Sequence, residues 1–279
     1  MKRILFPTDF SPTATNAFVH ALEFAKMVQG ELILLHTFEL PVYDSQFFPQ
    51  NYMVLYESLE LSQFDMFKEE IPKLRAIAAQ RNLDGIKMTH RLMEGGLVYA
   101  IEKAIKEDQI DYVVMGTEGG STGWTSFFSE TNTANVLTNI EVPLLSVPSE
   151  AVYKPIDTIG FTTRFRKKDK KALKKVLKIA KFAGAEVKCL YVQTSESDVD
   201  KTTIQKWEED FKDEAVSFFV VPSDEIKASI LDFIAYKEVD VLTMLTYKRG
   251  FFEGIMNPSL TKKFSKTFEI PILSIAIKA

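Results

Sequence analysis

Glu141-Val142-Pro143-Leu144-Leu145-Ser146-Val147 and Glu269-Ile270-Pro271-Ile272-Leu273-Ser274-Ile275 match residue class for residue class, proline for proline. Each is a short apolar run of strand length. Working outward, Val239-Asp240-Val241-Leu242-Thr243-Met244 overlays Ile110-Asp111-Tyr112-Val113-Val114-Met115. Ala185 to Tyr191 overlays the run Glu31 to His36, and Ile159 to Phe165 overlays Ile4 to Phe10. A unit of roughly 125–150 residues is therefore written twice, as self-similarity at a fixed spacing indicates. The division is expected near Ser149 to Lys154, bracketed by Pro148 and Pro155, giving domains 1–150 and 151–279.

The first copy alternates two periods. Ile4-Leu5-Phe6, stopped by Pro7, reads as a strand, and Thr8 to Ser11 as the loop after it. Asp9 or Ser11 can cap the next helix, Thr13 to Met27, whose apolar residues recur at helical spacing until Gly30 ends it. Glu31 to His36 is the second strand, so the opening is a βαβ unit. Residues 39–63, rich in aromatics, read as a long loop or irregular insertion, either a lid or partner-facing surface or a locally packed excursion. Phe64 to Ala79 reads as a helix that Pro72 kinks or divides, Ile86 to Leu92 as a strand, Gly95-Gly96 as a turn and Leu97 to Ile105 as a helix. Ile110 to Met115 is the fourth strand, Asn132 to Asn139 a short helix and Pro143 to Val147 the fifth strand. The expected fold is α/β, with two tandem doubly wound units, each a five-stranded parallel sheet flanked by helices. In such sheets ligands lie beyond the carboxyl ends of the strands at the topological switch point, which brings Asp9 and Gly116 together if it falls between the first and fourth strands.

Composition narrows the class. The 279 residues are 46% hydrophobic and 26% charged, with no apolar run of the ~18 residues a membrane span needs. Lys2 to Phe6 runs at once into Pro7-Thr8-Asp9 and is no signal peptide, so a cytoplasmic location is expected. The single Cys189 reads as a buried small residue, and His20, His36 and His90 have no metal-ligand spacing. Residues 1–150 hold 11 Lys and Arg against 20 Asp and Glu, net −9, whereas 151–279 hold 23 against 18, net +5. The basic run Arg164 to Lys181 keeps Leu173, Val176, Leu177 and Ala180 on one face, so it reads as a solvated helix face and no nucleic-acid partner is expected.

Chemistry concentrates where the fourth strand ends. Met115-Gly116-Thr117-Glu118-Gly119-Gly120-Ser121-Thr122-Gly123 frees backbone N–H groups for an anion. These residues, with Pro7-Thr8-Asp9-Phe10-Ser11, Leu34-Leu35-His36 and Val142-Pro143-Leu144-Leu145-Ser146-Val147, resemble the universal stress protein family in its tandem form, over nearly the whole chain. The resemblance implies an adenine nucleotide alpha hydrolase-like fold. It also implies a stress-response binding or regulatory protein whose first domain holds ATP or another adenine nucleotide, with Mg2+ accompanying the phosphates. Residue by residue, it assigns Pro7, Thr8 and Asp9 to the adenine or ribose end, Thr37 beside the adenine, Met115 and Gly116 under the ribose, and Gly119 and Thr131 at the phosphates. It implies further that the closing strands of the two copies pair within one chain as a pseudo-dimer.

The family loop has the form Gly-x2-Gly-x9-Gly-Ser/Thr, and here Ser129-Glu130 or Glu130-Thr131 replaces its last glycine pair. In the second copy Arg164 stands for Asp9, Leu245 for Gly116 and Lys248 for Gly119, and Asn257-Pro258-Ser259 occupies the Gly-Ser region, so the second copy is expected to be degenerate. Two other readings stay open. One is a ligand-free scaffold for a protein partner or self-association. The other is a weak ATP hydrolase using Glu118 or Glu130, although the chain has no Walker-type Gly-Lys-Ser/Thr run.

Overall fold

A computed structural model of the chain describes residues 1–39, 52–117, 136, 139–197, 199–247 and 270–277. Two compact units divide it, Met1–Gly116 and Thr117–Ala279.

In the first unit β1 (Lys2–Pro7) carries Ile4, Leu5 and Phe6 with no solvent exposure, as a strand sandwiched between helices requires. It pairs in parallel with β2 (Gly30–Phe38), from Lys2 opposite Gly30 to Pro7 opposite Leu35. On its other side it pairs in parallel with β4 (Tyr112–Thr117), Ile4 opposite Tyr112 and Leu5 opposite Val113. β3 (Met88–Glu94) extends the sheet beyond β2, giving the order β3-β2-β1-β4. Between the strands run α1 (Pro12–Met27), α2 (Tyr52–Gln80) and α3 (Leu97–Glu107). Asp111 fastens the start of β4 to β1, accepting from Arg3 N–H at 2.9 Å and from Lys2 Nζ at 2.6 Å.

Three local readings are corrected. The insertion expected as irregular over 39–63 is helical from Tyr52 onward, because α2 is a 29-residue helix that continues through Pro72 instead of dividing there. Residues 40–51 of that insertion lie outside the described residues. The end of α1 is turned by Gln29, at φ 53°, and not by Gly30, which opens β2. Gly30 is required there for a different reason, since a Cβ would stand 2.4 Å from Ile4 Cδ1 and 2.8 Å from Lys2 O across the sheet.

In the second unit the order is β5-β10-β9-β6-β7-β8. β5 (Leu144–Pro148) pairs antiparallel with β10 (Ile272–Ile277), Leu145 opposite Leu273. The two matching closing strands therefore do pair. β10, β9 (Val241–Tyr247), β6 (Thr158–Thr162), β7 (Glu186–Gln193) and β8 (Val216–Pro222) are mutually parallel. Their helices are α4 (Lys167–Ala183), α5 (Lys201–Asp210) and α6 (Ile226–Tyr236). The molecule is thus an α/β protein with a mostly parallel sheet flanked by helices, as expected. Asp240 repeats the role of Asp111, accepting from Thr158 N–H at 2.9 Å and Asp157 N–H at 3.0 Å. The expected helix Asn132 to Asn139 falls almost entirely outside the described residues.

Candidate functional site

Within the first unit the chain steps from β1 to β2 to β3 on one side and to β4 on the other, so the strand order reverses between β1 and β4. The residues expected at a site occupy the carboxyl ends of three neighbouring parallel strands: Pro7 at the end of β1 with Thr8 and Asp9 after it, Thr37 in β2, and Met115 and Gly116 in β4. Gly119 and Thr131, with Glu118 and Glu130, lie outside the described residues.

Local hydrogen bonds shape the loop after β1. Thr8 is buried, and its N–H donates to Leu35 O at 2.8 Å, extending the ladder by one residue past β1. Its Oγ1 accepts Phe10 N–H at 2.9 Å and holds Phe10 in the left-handed region at φ 61°, uncommon for a bulky residue. Asp9 is exposed, with Oδ1 accepting Ser11 N–H at 3.0 Å. Ser11, not Asp9, caps α1, its Oγ accepting Ala14 N–H at 3.2 Å.

His36 locks this loop from the side of β2, a role its isolated place in the sequence does not disclose. Its Nδ1–H donates to Thr8 O at 2.7 Å, and its Nε2 lies 3.1 Å from the side-chain amide of Gln63 on α2. The Phe10 ring packs 5.3 Å from His36 and 5.4 Å from Phe67, and Phe67 is 5.5 Å from His90. Thr37 is half-buried beyond His36, opposite Met93 of β3.

Gly116 has a packing role of its own. A Cβ on it would come within 2.9 Å of Thr13 O and 3.2 Å of Thr13 C and Cγ2, so the first turn of α1 fills the space a side chain would need. Met115 beside it is buried.

The second unit repeats the loop with a different filling. Thr163 N–H donates to Leu190 O at 2.9 Å, and Thr163 Oγ1 accepts Phe165 N–H at 2.9 Å, with Phe165 at φ 55°. Phe165 packs 5.3 Å from Tyr191 and 5.1 Å from Trp207. Arg164, in the place of Asp9, is exposed, and its backbone N–H donates to Asp169 Oδ2 at 2.8 Å. The same oxygen accepts Arg166 N–H and the Thr163 hydroxyl, both at 3.2 Å, and Asp169 has no solvent exposure. Sequence reading missed Asp169 inside a run of lysines; the available signal was an acid three residues after the helix N-cap. Lys248, Arg249 and Asn257-Pro258-Ser259 lie outside the described residues.

Cys189 is buried and burial pushes its thiol far above the usual range, so it is no thiolate nucleophile. Among the described residues, no group of three His, Cys, Asp or Glu side chains is placed to hold a metal ion, and no helix is long and apolar enough to cross a membrane.

Residues 1–148 match the model of the universal stress protein family. The chain belongs to that family. A curated relative, the universal stress protein MJ0577 of Methanocaldococcus jannaschii, is 27% identical over 153 residues, which cover 52% of this chain and 94% of the relative. A solved universal stress protein from Archaeoglobus fulgidus covers 99% of this chain and 96% of its own, at 19% identity and a TM-score of 0.71, a likeness of fold. Another universal stress protein, solved in complex with cAMP, matches 52% of this chain and 96% of its own at 19% identity and a TM-score of 0.36.

Proposed function

We propose that this universal stress protein is the tandem form, with repeats 1–150 and 151–279, acting as a cytoplasmic stress-response binding or regulatory module whose first repeat takes an adenine nucleotide. The observation that carries this reading is the position of Asp9 and Gly116, at the carboxyl ends of β1 and β4 on either side of the point where strand order reverses. The exposed Asp9 carboxylate suits the hydroxyl or amino donors of a nucleoside, in a loop braced by Thr8, Phe10 and His36. Thr37 and Met115 flank that loop on the adjoining strands. The phosphates, with Mg2+, are assigned to the stretch containing Gly119 and Thr131.

Isothermal titration with ATP, ADP and AMP, at protein concentrations well above micromolar, tests the reading. Saturable heat from at least one of them is expected. Absence of heat and of thermal stabilisation with all three removes the nucleotide from the function.

A further inference from the structure

Two exposed helix faces carry opposite character. On α2, Met53 and Val54 are each 65% exposed, Leu61 61% and Phe64 48%, which places four large apolar side chains along one side of the first four turns. Glu57, Glu60 and Glu69 are exposed beside them and form no ion pair among the described residues, while Asp65 is held by Lys68 at 3.3 Å. Exposed apolar side chains interleaved with acids in this way suit a long basic side chain, as Lys68 shows where its Nζ lies 4.8 Å over the Phe64 ring.

α4 supplies the counterpart. Its buried side holds Leu173, Val176 and Ile179 against the core, and its outward side presents Lys167, Lys168, Lys171, Lys174, Lys175 and Lys178. None of these six forms an ion pair among the described residues, unlike Lys170 with Asp210 and Lys181 with Glu214. Phe182, 46% exposed, ends the stripe. Lysine suits an apolar stripe edged by acids, because its methylene stem covers apolar surface while its ammonium reaches the carboxylates.

We propose that α4 of one chain docks on α2 of a second copy, with the lysines meeting Glu57, Glu60 and Glu69 and their stems covering Leu61 and Phe64. Charge complementarity singles out the second copy as the occupant, since the same polypeptide carries net −9 over residues 1–150 and net +5 over residues 151–279. The contact is salt-sensitive, as pairs at an exposed rim are.

Sedimentation velocity of the full chain at about 0.01 M and about 1 M salt, where the screening length falls from ~30 Å to ~3 Å, tests it. Mass above the monomer at low salt, lost at high salt, is expected. Two triple variants refine the test, K171E/K174E/K178E and E57K/E60K/E69K, each checked for an unchanged melting temperature. Each alone should be monomeric at low salt, and an equimolar mixture of the two should associate again. A wild-type mass independent of salt overturns the proposal. So does association that survives either variant, or low-salt mass that disappears on nuclease treatment.

Discussion

Asp169 Oδ2 accepts the backbone N–H of Arg164 at 2.8 Å, tying the loop after β6 to the helix that follows it. Ala14 holds the same place in α1, three residues after the N-cap Ser11, as Asp169 does after Arg166. One copy of the loop is therefore held by a carboxylate on the helix that follows it, and the other by its own Asp9 and by His36 reaching across from β2.

Replacing Asp169 by Ala strands three donors around a fully buried position, and a loss of about 3 kcal/mol is expected. Asp169→Asn keeps an acceptor and should recover part of it. Urea unfolding followed by tryptophan fluorescence checks both, since Trp207 packs 5.1 Å from Phe165 in this loop.

Gly116→Ala should destabilise the protein by about 1–3 kcal/mol without any ligand present, because the new Cβ meets backbone atoms of Thr13. Thermal melts with and without nucleotide separate this cost from an effect on binding. A glycine needed only by a ligand would leave the ligand-free melt unchanged.

Asp9→Ala acts oppositely. The side chain is exposed and makes one local bond, to Ser11 N–H, so stability should change by less than about 1 kcal/mol. Nucleotide affinity should fall about tenfold or more, read by titration, corresponding to about 1.4 kcal/mol or more.

Glu31 predicts part of the acid limb. Its carboxyl is held below the ordinary value of 4.5, first by the Lys87 ammonium 2.6 Å from Oε2 and then by Arg3, against the opposing effect of burial. A depressed carboxyl contributes stability that is full above its unfolded value and lost as pH falls through the folded one. Wild type should therefore lose stability below about pH 4.5 more steeply than Glu31→Gln, in chemical melts run from pH 7 to 3.

Ser146 on β5 and Ser274 on β10 bury hydroxyls without a hydrogen-bond partner among the described residues. Removing an unsatisfied buried polar atom relieves its desolvation cost. Ser146→Ala and Ser274→Ala should be neutral or raise the melting temperature, in contrast to most core substitutions.

Much of the fold was legible because buried parallel strands are short apolar runs that do not depend on distant context, as Ile4-Leu5-Phe6 and Val241-Leu242 show. The pairing of the closing strands was expected only because the family resemblance implies it, and β5 does pair with β10. The second part of α2, from Phe64 on, was legible too, but its first turns were not, because Met53, Val54 and Leu61 face outward and blur the apolar stripe by which a helix is recognised. At the candidate site, the strand ends that carry Asp9 and Gly116 could be placed by pattern. The bond from His36 to Thr8 spans 28 residues and has no sequence signature. Asp169 was hidden for a related reason, since its partners include backbone groups that every residue possesses.

The register of β5 against β10 has a consequence in time. Leu145 faces Leu273, so 128 residues must be synthesised after β5 before its partner exists. At about 5–20 residues per second, one edge of a wholly buried strand waits roughly 6–26 s on the ribosome. An unpaired edge of that kind invites pairing with another chain, so the nascent protein passes through an aggregation-prone stage until β10 emerges. Slowed translation between β5 and β10, more than any single core substitution, is where the yield of folded protein should be most easily lost.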